Sequence, residues 1–203
     1  MKLGSQTSFH FQTHGGRRRG AGRKPKGDRP LVSHKERPRF DKPAPAHVTL
    51  RVLDHVPSLR ASRRFAVIRR CFAAAKGLHG LRLVEFTVMG NHLHLIVEAD
   101  SNGSLSRGMQ GLCIRLAKAM NKALRRRGGG IFADHYHSHL LLSPSEVRNA
   151  LRYVSENAEH HFGQRGLDWF SSQNPELREL LVAPGTWLLS VGWKRARPRM
   201  VAR

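Results

Sequence analysis

The stretch TVMGNHLHLIVEA, residues 87–99, sets two histidines one residue apart in an otherwise apolar run. It overlaps a second apolar run, LRLVEFTVM (81–89), and Gly90-Asn91 separates the two. Gly-Asn is typical of a two-residue hairpin turn, because both residues tolerate positive φ. The sequence therefore predicts two antiparallel strands joined by a tight turn, the second of which begins at His92.

The histidine pair lies on one face of this second strand, because successive side chains of a strand point to opposite faces. His92 and His94 can therefore bind a metal ion together, but they can also be surface residues of a histidine-rich chain. With 13 histidines in 203 residues, about one His-x-His pair is expected by chance. Two more such pairs occur within residues 135–139. The pair alone leaves both interpretations open.

Hydrophobic periodicity along the rest of the chain predicts further strands and three helices. The predicted elements are a strand at 47–52, a helix at 58–80, the hairpin at 81–99, a helix at 104–127, a short strand at 137–142 and a helix at 143–162. This order, β-α-β-β-α-β with one added helix, is that of a ferredoxin-like α+β fold, an antiparallel sheet with helices packed on one face. The last helix has the clearest start, since Ser143 and Glu146 match a capping box and Pro144 occupies its first position.

The charge of the chain indicates the kind of partner. The net charge is +22 and the pI is near 11.6, which favours nucleic acid over an anionic membrane. No run of 18 apolar residues occurs, and the start lacks the apolar part of a signal peptide. Cys71 and Cys113 lie in apolar helical patterns, as expected of reduced core residues. We therefore expect a cytoplasmic, nucleoid-associated protein that binds no membrane.

Composition divides the chain into three parts. Residues 1–45 are predicted to be a flexible basic arm, because they have no apolar periodicity with which to build a core. Within the arm, GRKPKG resembles an AT-hook that enters a narrow minor groove, although a solvated tail touching phosphates is an equal alternative. Residues 46–162 form the predicted domain. Residues 163–203, with three tryptophans and a basic end, are predicted to be an appended segment that packs on this domain.

Tyr153 and Asn157 share one face of the last helix. They are four residues apart, so their side chains project roughly 40° from each other around the helix axis. That face borders the apolar stripe, and both side chains should therefore emerge where the helix meets the domain. A tyrosine at such a seam is usually a core residue with a satisfied hydroxyl, and the spacing alone does not distinguish that role from a catalytic one.

The two motifs in this order resemble the single-tyrosine HUH transposases, with an IS200-like transposase domain, and are most similar to the REP-associated tyrosine transposases. Those proteins typically read Pro-Asn-His-x-His where this chain has Gly90 to His94. They read Tyr-x-x-x-Asn-Pro where this chain has Tyr153 to Asn157 followed by Ala158. The resemblance covers roughly residues 46–162. The two missing prolines affect backbone shape more than metal ligation.

The resemblance implies a metal-dependent endonuclease and strand transferase. His92, His94 and Asn157 would bind a divalent cation, Mg²⁺ or Mn²⁺, and Tyr153 on the C-terminal catalytic helix would attack a phosphodiester of single-stranded, hairpin-forming (REP-like) DNA. The product would be a 5′-phosphotyrosine and a free 3′-OH. Monomer and homodimer both stay open, and so does whether Tyr153 serves its own chain's histidines or those of a partner.

Several alternatives stay open at this point. The chain could be a non-catalytic DNA- or RNA-binding module derived from a transposase, or a rolling-circle initiator or relaxase-like nuclease. RNA binding by base stacking is disfavoured, because Phe86 is the only aromatic residue on the predicted hairpin strands. Tyr136 is a rival nucleophile that lacks a nearby amide ligand. The remaining histidines of interest are expected to contact phosphates or solvent: His135, His137, His139, His160 and His161.

Overall fold

The computed structural model describes residues 38–163 and 166–196. Most of the predicted basic arm, its AT-hook-like stretch and the last residues of the C-terminal basic run lie outside this part of the chain, and they stay predictions. Within the described residues, no helix is long and apolar enough to cross a membrane.

Four antiparallel strands form a single sheet in the described part of the chain. They are β1 (Ala44–Arg51), β2 (Leu81–Val88), β3 (His92–Ala99) and β4 (His137–Leu140). The spatial order is β2-β3-β1-β4, which is the ferredoxin-like order and confirms the predicted fold. The first strand begins three residues earlier than predicted.

The β2–β3 hairpin has the predicted two-residue turn, closed by a hydrogen bond from Met89 N to His92 O at 2.8 Å. Neither Gly90 nor Asn91 adopts the positive φ that both residues tolerate. Instead, neighbouring segments hold the turn: the carbonyl of Gly90 accepts from Leu59 N, and that of Asn91 accepts from Val52 N. These bonds fix the position at which β3 starts.

Three long helices pack on the sheet: α1 (Ser62–Ala75), α2 (Asn102–Ala123) and α3 (Pro144–Phe162). The predicted start of α1 at Ser58 is wrong, because residues 58–61 form a turn and Ala61 occupies the N-cap position. Helix α2 begins earlier than predicted, where the Ser101 hydroxyl accepts from Ser104 N. The capping box of α3 is confirmed, with Ser143 and Glu146 bonded reciprocally.

Successive side chains of β3 point alternately into two hydrophobic cores, one on each face of the sheet. Leu93, Leu95 and Val97 point towards α1 and α2 and belong to the larger core. Ile96 points to the other face, where it packs in a smaller core with Val154 and other residues of α3. The histidine pair shares the face of Ile96, so α3 covers the same side of the sheet as the histidines.

The C-terminal segment, residues 166–196, packs along the outer edge of β2. Val88 N donates to Phe170 O at 3.0 Å, and Ser172 N donates to Phe86 O at 2.9 Å, so the segment protects an edge that would otherwise present unpaired backbone groups. Its short helices include Pro175–Leu180 and α4 (Trp193–Arg195). Buried leucines of the former join the larger core, whereas Trp169 and Trp187 are exposed.

Candidate active site

His94 lies at the centre of the site, buried on β3. Its Nδ1 is 3.1 Å from Nε2 of His47 and 3.2 Å from Oγ1 of Thr49. Both partners lie on β1, and Thr49 is directly opposite His94 in the strand register. With Nδ1 occupied in this way, the ring nitrogen left for a ligand is Nε2, which is how second-shell hydrogen bonds orient a metal-binding imidazole.

His92 is oriented similarly at the start of β3. Its Nδ1 is 2.8 Å from Oδ1 of the neighbouring Asn91, which again leaves Nε2 as the available nitrogen. The rings of His92 and His94 have centroids 4.7 Å apart. The two imidazoles are therefore adjacent on one face of the sheet, as the alternation predicted.

Tyr153 reaches the histidines from α3. Its hydroxyl lies 3.5 Å from His94 Nε2, at the upper limit for a hydrogen bond. The two rings are nearly perpendicular, with centroids 5.0 Å apart. The side chain keeps 47% of its surface exposed, so the hydroxyl stands beside the histidine pair and also faces an open groove along α3.

Asn157 lies one turn further along α3 and is turned towards the interior, with 2% of its surface exposed. Neither its amide oxygen nor its amide nitrogen has a hydrogen-bond partner. Buried polar groups are nearly always bonded, and leaving one unpaired costs about 1–3 kcal/mol. Because Asn157 borders the same groove as Tyr153 and His161, its unpaired amide is available to a ligand in that groove.

The histidines of the site are uncharged at neutral pH. Burial, followed by the neighbouring His92 and His47, lowers the pKa of His94 to about 3. Burial, followed by the histidines of β4, lowers the pKa of His47 to about 4. Burial, followed by His161, also lowers the pKa of His92. Neutral imidazoles are the form that coordinates a metal, so no proton has to leave before a cation binds.

The residues present fit a divalent cation. In the described ranges, no cluster of three or more histidine, cysteine or carboxylate side chains is arranged to hold a metal. An amide oxygen is therefore the candidate for a third protein ligand. The Nε2 atoms of His92 and His94, and the unpaired oxygen of Asn157 on the helix that covers the same face of the sheet, are donor types that such a cation accepts. Two imidazoles are softer ligands than Mg²⁺ prefers, and Mn²⁺ matches this set better.

The sequence did not reveal His47. Its side chain stacks on His94, with ring centroids 5.2 Å apart, and meets the Tyr153 ring edge-on at 5.7 Å. Which residue of β1 lies beside His94 depends on the register of two strands that are distant in sequence. His161 was predicted to contact phosphates or solvent; it is exposed, with its ring centroid 6.3 Å from that of His92.

The other candidates lie away from the histidine pair. Tyr136 is buried in the larger core, with 8% of its surface exposed, and so lies across the sheet from Tyr153. His137 and His139 are exposed at their positions on β4. The carboxylate of Glu146 accepts from the backbone amides of Leu142 and Ser143 and acts as a helix cap.

Comparison with known proteins identifies the family of the chain and supports its fold. Residues 46–157 match the family model described as "Transposase IS200 like". A solved structure of a REP-associated tyrosine transposase bound to a REP hairpin superposes with a TM-score of 0.56 at 15% identity, covering 69% of this chain and 82% of that one. A putative transposase from Deinococcus radiodurans gives a TM-score of 0.42 at 18% identity, covering 62% of this chain and 95% of that one. No curated protein sequence gives a significant match.

Proposed function

Because the chain belongs to the IS200-like transposase family, we propose that it is a single-tyrosine HUH enzyme that cuts and rejoins single-stranded DNA. The observation that carries this proposal is the approach of the Tyr153 hydroxyl to His94 Nε2, at 3.5 Å, beside the unpaired amide of Asn157. Phosphodiester cleavage requires a nucleophile and ligands for a cation. Tyr153, two neutral imidazoles and the unpaired amide oxygen of Asn157 supply these groups.

Each residue has a role in this chemistry. His92, His94 and Asn157 would hold a divalent cation, Mg²⁺ or Mn²⁺, which would supply a Lewis acid at the scissile phosphate. Tyr153 is the nucleophile: its phenolic oxygen bonds to phosphorus while the bond from phosphorus to the 3′ oxygen breaks. The phenol loses a proton and the 3′ oxygen gains one, so no net proton is consumed.

The covalent intermediate explains why a tyrosine is used. A 5′-phosphotyrosine keeps the energy of the broken phosphodiester, so attack by another 3′-OH can rejoin the strand without ATP. The free pKa of a tyrosine is near 10, and a phenol therefore needs activation at neutral pH. A cation bound at His94 Nε2, the ring nitrogen 3.5 Å from the hydroxyl, would favour the phenolate.

The proposed substrate is single-stranded DNA that forms hairpins. The net charge of +22 favours a polyanion, and the structural neighbour was solved with a REP hairpin. The short distance from Tyr153 to His94 within one chain supports a cis arrangement, in which a monomer contains a whole site. Binding of RNA by base stacking has less support, since Phe86 is fully buried.

The polarity of the linkage tests this proposal. The protein is incubated with Mn²⁺ and a hairpin-containing strand labelled at either its 5′ or its 3′ end, and is then denatured. We expect only the 3′ label to remain on the protein, and the released 5′ fragment to end in a 3′-OH that a polymerase can extend. Cleavage that leaves neither label on the protein would show hydrolysis and contradict the phosphotyrosine mechanism. Binding without cleavage would favour the non-catalytic module.

A further inference from the structure

Asp168 of the C-terminal segment is a buried carboxylate at the centre of a hydrogen-bond network. Arg60, in the turn before α1, donates from Nη2 to its Oδ1 at 2.7 Å and from Nη1 to its Oδ2 at 3.2 Å. Phe170 N donates to Oδ1 at 3.1 Å. The side chains of Arg60 and Asp168 are only 12% and 3% exposed, so this is a bidentate ion pair largely removed from water.

The network reaches β2, the strand that pairs with the one carrying the histidine pair. Thr87 Oγ1 donates to Asp168 Oδ2 at 3.2 Å, and Thr87 lies directly opposite His94 in the β2–β3 register. Arg60 Nη1 also donates to the carbonyl of Val88, at 3.0 Å. A single residue, Thr87, therefore lies between the ion pair and His94, on the same face of the sheet.

The same network reaches α3. The Arg60 guanidinium lies 4.7 Å from the ring centroid of Phe162, the last residue of α3, and 4.4 Å from that of Phe170. Gln173 Nε2 donates to the carbonyl of Ser155 at 2.8 Å. Ser155 lies two residues from both Tyr153 and Asn157, so the C-terminal segment is bonded to the part of α3 that carries both.

We propose that the Arg60–Asp168 pair is a positioning element of the active site, which sets α3 relative to the β2–β3 hairpin. The metal ligands come from both elements, His92 and His94 from β3 and Asn157 from α3, and the nucleophile comes from α3. Asp168 lies outside the residues that match the family model, 46–157. This inference rests on the proposed function and extends its site into the C-terminal segment.

Two variants test the role of the pair. Asp168→Asn keeps the shape but removes the charge, and the double variant Arg60→Met with Asp168→Leu removes both charges, leaving no buried charge unpaired. Two quantities are measured well below each variant's unfolding temperature: Mn²⁺ affinity without DNA, by electron paramagnetic resonance, and the single-turnover rate of adduct formation at saturating DNA. We expect Mn²⁺ affinity to fall by roughly 10–100-fold and the rate by roughly 10–100-fold, with unchanged affinity for DNA.

Glu98→Gln is the matched control. Glu98 is a second buried carboxylate that bonds the same hairpin to the same C-terminal segment: it pairs with Arg82 of β2 and accepts from Gly185 N at 2.7 Å, at the end of β3 remote from the histidines. This variant should lose stability but keep the wild-type Mn²⁺ affinity and rate. If the Asp168 variants also keep both, the pair is merely structural and the inference is overturned. If the wild-type protein itself neither binds Mn²⁺ nor forms an adduct, the proposed function fails as well.

Discussion

The Tyr153 hydroxyl lies 3.5 Å from Nε2 of His94 in the same chain, although 59 positions separate the two residues in sequence. The contact forms because α3 crosses the sheet face on which the histidine of β3 projects. It brings the candidate nucleophile to the candidate metal ligand without a second chain.

This relationship predicts that inactive variants cannot complement each other. Tyr153→Phe keeps the histidines, and the double variant His92→Ala/His94→Ala keeps the tyrosine. In a mixture of the two, a cis site leaves every molecule incomplete, so we expect no covalent adduct in a denaturing gel. Adduct formation in the mixture would show that Tyr153 acts on a partner's histidines.

A second prediction concerns the orientation of His94. Changing His47 to Phe and Thr49 to Val removes both partners of His94 Nδ1 and should lower Mn²⁺ affinity by roughly 10–100-fold, as loss of outer-shell partners does. The control is His139→Phe, because His139 is exposed and lies opposite His47 on β4. Titration of Mn²⁺ by calorimetry measures both. Equal affinities in the two variants would remove His47 and Thr49 from the site.

A third prediction concerns the basic arm, which contributes to binding if its charges contact phosphates. Deletion of residues 1–37 leaves β1 intact, since that strand begins at Ala44, and removes 10 of the 36 lysines and arginines. We expect weaker DNA binding and a shallower dependence of the binding constant on salt, with cleavage of short substrates preserved. Fluorescence anisotropy over a salt series checks the slope, and an unchanged slope would show that the arm makes no phosphate contacts.

A fourth prediction concerns stability and its pH dependence. Burial would raise the pKa of Glu98, but hydrogen bonds from Thr186, the backbone of Gly185 and Arg82 outweigh it and hold the pKa below its usual value of 4.5. Glu98→Gln should therefore lower the free energy of unfolding by about 2–3 kcal/mol at pH 7. Urea unfolding measures this difference.

The sign of the pH effect follows from the direction of that shift. A depressed carboxyl pKa stabilises the folded state above the unfolded value, and this stability is lost as the pH falls through the folded value. The gap between wild type and Glu98→Gln should hold at neutral pH and shrink below about pH 4.5. A gap that stays constant into strong acid would show that the charge of Glu98 does not stabilise the fold.

The fold was predictable where the signal was local. Alternation marked β2 and β3, and the capping box marked the start of α3 to within a residue. Helix geometry also put Tyr153 and Asn157 on neighbouring parts of one helix face. Ser58 failed as a cap because residues 58–61 form a turn, in which Leu59 N bonds the hairpin carbonyl of Gly90, and this bond joins segments distant in sequence.

The supporting residues of the site were not predictable, for the same reason. His47 acquires its role only through the β1–β3 register, which a single sequence does not fix. Asp168 and Arg60 are 108 residues apart. Nothing in the sequence around either residue indicates that it is buried or paired. Their burial and their pairing arise only in the tertiary structure.

Covalent trapping of DNA on Tyr153 tests the central claim most directly. Wild type, Tyr153→Phe and Tyr136→Phe are incubated with Mn²⁺ and labelled single-stranded DNA containing imperfect hairpins, and the adduct is digested and located by mass spectrometry. Tyr153→Phe removes one oxygen from a half-exposed side chain, so the helix should pack and DNA should bind as before. We expect an adduct on Tyr153 that is lost in Tyr153→Phe and retained in Tyr136→Phe. An adduct that persists in Tyr153→Phe, or that maps to Tyr136, would contradict the assignment of Tyr153 as the nucleophile.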